Sequence, residues 1–190
     1  KIEGVKTLKS ITYSIMNDRL EAGTFCVAAC LNGGKLKIKN FEPKIINTEI
    51  NLLKKIGAKI KTTKNTIQIK GPKKIRSLDF LKTGEYPNFP TDLQAQIMVL
   101  LTRANGKSTI EENIFENRFM HVPELKRLGA KINIKGNKAI IDGTNNLEGA
   151  ELMSSDLRAS VALVLAAFIS RGTSITVSYT HLTLPTRIFV

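Results

Sequence analysis

Two acids and three arginines are the residues best placed to do chemistry. Asp92 and Asp156 each open a long apolar run, Ile97-Met98-Val99-Leu100-Leu101 and Val161-Ala162-Leu163-Val164-Leu165-Ala166-Ala167. Arg19 and Arg158 stand beside helix starts of the same kind, and Arg118 lies three positions before His121. Guanidinium groups bind phosphate and carboxylate in bidentate fashion and stay charged. A carboxylate can take a proton from a hydroxyl. Each residue also has a plainer role. An acid at a helix start caps free N–H groups and offsets the dipole, and on base rates Asp92 alone reads that way. Arg118 and Arg158 would then be surface ion-pair partners of Glu116 or Asp156.

The remaining reactive side chains are few. Cys26 and Cys30 are the only cysteines, and His121 and His181 the only histidines. The i, i+4 spacing of the cysteines places them on one helix face. Without metal-ligating partners they read as small buried residues in a reducing cytoplasm, and neither metal nor cofactor is expected. His121 reads as structural.

The elements that position these residues repeat. Leu53-Lys54-Lys55-Ile56-Gly57-Ala58-Lys59-Ile60 returns 72 residues later as Leu125-Lys126-Arg127-Leu128-Gly129-Ala130-Lys131-Ile132. Leu20-Glu21-Ala22 returns as Leu93-Gln94-Ala95 and again as Leu157-Arg158-Ala159. Two nearly whole units and the opening of a third follow. Each begins with a helix, over roughly 20–31, 92–104 and 156–170, that is apolar on most faces and therefore expected to be buried on all sides. A strand follows (Lys35–Lys39; residues 108–111). Next comes an amphipathic helix on Ile46, Ile50 and Leu53, with Lys54 and Lys55 outward and Gly57 as its stop. Two alternating strands close the unit, at 58–62 with 66–70 and 131–134 with 138–141, with Asn65 and Gly136-Asn137 at the turns. The order is circular β-α-β-α-β-β, and three such units around an axis is the natural closure. Lys1-Ile2-Glu3-Gly4 reads as the end of a strand, which suggests a piece of a longer chain.

The chain has 190 residues, a net charge of +13 and 42% hydrophobic residues, with a pI near 9.9. That charge admits nucleic acid, an acidic membrane or phosphorylated small molecules. The lysines are scattered among abundant Ile and Asn, as in an AT-rich genome, and three Tyr with no Trp leave little for base stacking. Neither nucleic acid nor membrane is the expected partner, and no apolar run is long enough to span a bilayer.

Three strings go beyond any helix or turn rule: Asn17-Asp18-Arg19-Leu20-Glu21-Ala22-Gly23-Thr24-Phe25, Tyr86-Pro87-Asn88-Phe89-Pro90-Thr91-Asp92-Leu93-Gln94-Ala95-Gln96, and Phe115-Glu116-Asn117-Arg118-Phe119-Met120-His121-Val122-Pro123-Glu124-Leu125. With Ser155-Asp156-Leu157-Arg158-Ala159-Ser160 they resemble, in order, the enolpyruvyltransferase family, in the branch that acts on UDP-N-acetylglucosamine. The resemblance implies an EPSP synthase-like inside-out α/β barrel of β-α-β-α-β-β units. It also implies a cytoplasmic enzyme of the first committed step of bacterial cell-wall synthesis. That enzyme transfers the enolpyruvyl group of phosphoenolpyruvate to the 3-hydroxyl of the sugar and releases phosphate, without a cofactor.

By the same resemblance, Asp92 binds the sugar and acts as base, Ile114 contacts the uridine nucleotide, and Arg118 and Arg158 line the phosphoenolpyruvate side. Arg19 and Asp156 are weaker substrate-binding candidates. The family's proton-donating lid residue would lie in a first domain absent from this chain. Residues 1–176 are expected to be a partial domain with its third unit cut short. Ser178-Tyr179-Thr180-His181-Leu182-Thr183-Leu184-Pro185-Thr186 resembles a translated sequencing adapter, so residues 177–190 are expected to be foreign and His181 to carry no function. The alternatives are the sister transferase of shikimate 3-phosphate and a basic repeat domain that grips a polyanion.

Overall fold

The computed structural model describes residues 3–143, 146–154 and 156–177. Regular structure begins at α1 (Arg19–Leu31), followed by β1 (Lys35–Lys39), α2 (Asn47–Ile56), β2 (Lys59–Thr63), β3 (Thr66–Lys70), β4 (Ile75–Arg76) and β5 (Leu81–Lys82). The chain continues through α3 (Gln94–Thr102), β6 (Ala104–Asn105), β7 (Lys107–Glu111), α4 (Val122–Arg127), β8 (Lys131–Lys135) and β9 (Lys138–Asp142). It closes with β10 (Leu147–Glu148), β11 (Glu151–Met153), α5 (Leu157–Ile169), β12 (Ser170–Arg171) and β13 (Ile175–Val177). Glu3 and Gly4, expected to end a strand, lie in an irregular segment that runs to Asp18. A strand exists only through its hydrogen-bonded neighbour, which four residues of sequence do not specify.

The repeat is present in the coordinates. β1-β3-β2 and β7-β9-β8 are antiparallel ladders of identical order. Lys35 pairs with Lys70 and Lys59 with Lys70 in the first; the residues 72 later, Lys107, Asp142 and Lys131, pair likewise in the second. β5 joins the second sheet in parallel beside β7, so β5-α3-β7-α4-β8-β9 is one whole β-α-β-α-β-β unit. The parallel pairs β10·β12 and β11·β13 begin the next. The boundary expected at residue 177 falls on the last residue of β13, and 178–190, His181 included, lie outside the described residues.

The two sheets differ in charge. The outward face of the first carries Lys35, Lys37, Lys39, Lys59, Lys61 and Lys70, all exposed. In the second, Glu111 lies 3.1 Å from Lys138 and 3.6 Å from Lys82, and Asp142 stands in register between Lys107 and Lys131.

Helix α3 is buried along its whole length, with Met98, Val99, Leu100 and Leu101 at 0% exposure. Each such side chain contributes about 1.5–3 kcal/mol on removal from water. Its neighbours α1 and α5 are not enclosed in the same way. Phe25 is 54% exposed, Val164 44% and Phe168 74%, and these residues border an apolar groove of about 500 Å³ between α1 and α5. Burial on all sides therefore holds for the middle helix alone. It has packing partners on both flanks, whereas each outer helix meets α3 on one flank and leaves the other on the groove.

Sharp chain reversals allow the sheets to close on the helices. Gly57 ends α2 at φ 115°, a left-handed conformation that favours glycine. Gly143 passes so close to the end of α3 that an added Cβ would sit 1.7 Å from the Ala104 carbonyl oxygen. Its repeat-mate Gly71 would meet the Ala29 carbonyl oxygen at 2.3 Å. Gly143→Ala should therefore destabilise the chain by about 1–3 kcal/mol or more through overpacking, read as a lower urea midpoint; an unchanged midpoint would show that the sheet can retreat.

His121 precedes α4 and is 3% exposed. Burial pushes its pKa down to about 4, with Asp156 partly opposing. Between about pH 6.5 and 4 the unfolded chain binds a proton on this residue that the folded chain excludes, so its contribution is intact above that window and lost as pH falls through it. The urea midpoint should drop across this window, at most by roughly 1.4 kcal/mol per pH unit from this residue, and more steeply for the parent chain than for His121→Gln. Equal slopes would refute a neutral buried His121.

Candidate functional site

Asp92 sits in a single 3-10 turn, Thr91–Leu93, that leads into α3. Asp18 and Asp156 hold comparable places and do cap their helices. Asp18 accepts from the N–H groups of Leu20 and Glu21, and Asp156 accepts from those of Arg158 and Ala159, both at 2.9 Å. Asp92 instead accepts from two side chains, Arg118 Nη2 at 3.4 Å and Arg158 Nε. Those donors are 26 and 66 residues away in sequence. The Arg118 guanidinium also lies over the Phe115 ring, 4.5 Å from its centroid. The side chains of Arg118, Asp92 and Arg158 remain 20%, 25% and 42% exposed, so a ligand can reach the cluster. Beside it opens a cavity of about 350 Å³ lined by Gln94, Phe115, Arg118, His121, Asp156 and Arg158 among others.

One buried carboxylate holds the two strings in place. Glu112, 3% exposed, follows β7. Its Oε1 accepts from Thr83 Oγ1 at 2.9 Å, from the Ile114 N–H at 2.9 Å and from the Phe115 N–H at 3.3 Å. Its Oε2 accepts from Thr91 Oγ1 at 2.9 Å. The turn bearing Asp92 and the loop bearing Arg118 are thus fastened to the same group, and charge-assisted hydrogen bonds of this kind are the stronger ones. Glu112 is absent from the sequence-based site. Its signal was the period-two alternation of β7, in which Ser108 and Ile110 face inward and Glu112 follows on the same face.

The other candidates fall elsewhere. Ile114 is half-buried, and its N–H is taken by Glu112. Arg19 pairs with Glu49 at 2.6 Å, donates to the Asn88 carbonyl at 2.7 Å and lies over the Tyr86 ring. Neither lines the cavity among the described residues. Cys26 and Cys30 are fully buried, and burial pushes both thiols up to about 12, which disfavours the thiolate.

Comparison with known proteins gives this geometry its context. The chain is 58% identical over 182 residues to a UDP-N-acetylglucosamine 1-carboxyvinyltransferase of Pelagibacter ubique. It is 48% identical over 174 residues to one of Geotalea daltonii. It covers 43% and 42% of those two proteins, so it spans less than half of their length. Among solved structures, the enolpyruvyl transferase NikO from Streptomyces tendae is similar with a TM-score of 0.78 at 25% identity, over 88% of this chain and 40% of that one. An EPSP synthase from Acinetobacter baumannii shares the fold, with a TM-score of 0.68 at 16% identity, over 92% of this chain and 41% of that one. The model of EPSP synthase (3-phosphoshikimate 1-carboxyvinyltransferase) matches residues 1–186. With the repeated α/β units and the family strings all in place, the chain belongs to the EPSP synthase family.

Proposed function

We propose that this chain is part of a UDP-N-acetylglucosamine 1-carboxyvinyltransferase and forms one wall of its active-site cleft. The observation that carries the reading is the meeting of Asp92 with Arg118 and Arg158, the two arginines that line the neighbouring cavity. A base and two fixed cations are what the reaction needs on one side. The sugar 3-hydroxyl adds to the enol carbon of phosphoenolpyruvate while a proton is added at the methylene carbon. The tetrahedral adduct then loses phosphate and a methyl proton, which restores the double bond. Asp92 accepts the hydroxyl proton, and Arg118 and Arg158 hold the anionic co-substrate. The remaining length of the relatives supplies the proton donor and the opposite wall. Identities of 45–58% to enzymes named for the sugar nucleotide favour that substrate over shikimate 3-phosphate, since the EPSP synthase structures match at only 16–18%.

In this reading the units close as an inside-out barrel, residues 1–176 are a partial domain, and 177–190 are foreign, which resequencing the locus tests. The enzyme works in the cytoplasm; no helix among the described residues is long and apolar enough to cross a membrane. The lysine face of the first sheet is the observation that favours a polyanion-binding module. Lys35, Lys37, Lys39, Lys59, Lys61 and Lys70 share that face with Thr63, Thr66 and Gln68, so it offers no aromatic ring on which a base can stack.

Three outcomes test the proposal. When residues 1–176 of this chain replace the matching stretch of the full-length Pelagibacter ubique relative, Asp92→Asn should lower kcat by ~10²–10⁴-fold. Arg158→Lys, which loses the planar fork, should mainly raise the KM for phosphoenolpyruvate. Retention of kcat within a few-fold in Asp92→Asn would remove it as the base. The chain on its own should release no phosphate from the two substrates, because one wall neither encloses the reactants nor supplies the acid. Turnover by the isolated chain within tenfold of the full-length relative would show that the chemistry has been misplaced.

A further inference from the structure

Among the residues lining the cavity beside Arg118 and Arg158 are two buried ones that this reaction scheme does not use, Gln94 and His121. Gln94, the first residue of α3, is 1% exposed, and His121 is 3% exposed. Both residues line the cavity, and Gln94 Nε2 and His121 Nε2 have no hydrogen-bond partner among the described residues. A buried donor left unmet forfeits its hydration without return, so native structures almost always supply a partner. Here two such atoms belong to residues, one at the start of α3 and one in the turn before α4, that line the same cavity as Arg118 and Arg158.

We propose that Gln94 and His121 are specificity-determining residues of this cleft, donating from Nε2 to oxygen atoms of the small oxyanion that Arg118 and Arg158 attract. The inference rests on the reading of the cleft given above. The arginines supply charge, which draws any anion; two neutral donors at fixed positions supply direction. A site whose buried donors need an acceptor discriminates strongly against a ligand that leaves them unmet. Burial keeps the His121 imidazole neutral, with a pKa near 4. It therefore contributes a hydrogen bond in its Nε2–H tautomer and adds no third cation beside the arginines. The oxyanion is a carboxylate or a phosphate oxygen, both of which phosphoenolpyruvate carries.

The test is an NMR titration of the whole chain carrying His181→Ala, which leaves His121 as the sole histidine. UDP-N-acetylglucosamine is present throughout, and the added ligands are phosphoenolpyruvate, pyruvate and inorganic phosphate in turn. The expected result is that the His121 Nε2 and Gln94 side-chain amide signals move with the same midpoint as the backbone amides of Arg158 and Ala159. Movement with pyruvate would mark a carboxylate subsite, and movement with inorganic phosphate a phosphate subsite. Gln94→Leu should weaken the midpoint about tenfold, the effect of one lost hydrogen bond to a charged group, and Gln94→Asn should weaken it less. If the Arg158 and Ala159 amides respond while His121 and Gln94 do not, this inference is overturned and the cleft assignment stands. If no signal responds to any of the three ligands, the cleft assignment fails and takes the inference with it.

Discussion

Everything in this structure follows from one constraint: α3 has no polar face. A helix of the composition Gln94-Ala95-Gln96-Ile97-Met98-Val99-Leu100-Leu101-Thr102 loses stability wherever water reaches it, so the chain must surround it. One flank is taken by α1 and another by α5, and β4, β7 and β9 pack against it as well. The three helices come from successive units and pack side by side, and the amino ends of α3 and α5 come together. Asp92 and Arg158 meet at that rim although 66 residues separate them. The cluster of Asp92, Arg118 and Arg158 is a by-product of burying an apolar helix.

Charge is then distributed by local need. Asp18 and Asp156 satisfy free N–H groups at helix starts, and Arg19 and Glu49 form a largely buried pair. Glu112 collects four donors and so fixes the loops on either side of the cleft. Asp92 alone among the helix-start acids faces two arginines. Asp18 and Asp156 are engaged by backbone N–H groups of their own helices, whereas Asp92 is held by two guanidinium groups from distant segments. Glu112 and Asp92 are thus both acids at cleft-forming turns, yet burial makes one a fastener and exposure leaves the other available.

Much of this architecture was legible in the residues. The recurrence of Leu53–Ile60 at Leu125–Ile132, the two-residue alternation of the strands and the glycine stops determined the units and their order, because these are local properties with a fixed period. The family strings singled out Asp92, Arg118 and Arg158, and the apolar runs predicted buried helices. Other matters needed three dimensions. Whether an acid before a helix caps it or faces away depends on which side chains arrive from distant segments, and Asp92 and Asp156 look alike in sequence while differing in partners. Whether an apolar helix is enclosed depends on how many neighbours it meets, which is why α3 is covered and α1 and α5 border a groove. The burial of Glu112, Gln94 and His121 follows from the same long-range packing, and only the folded chain decides which of their polar atoms meet a partner.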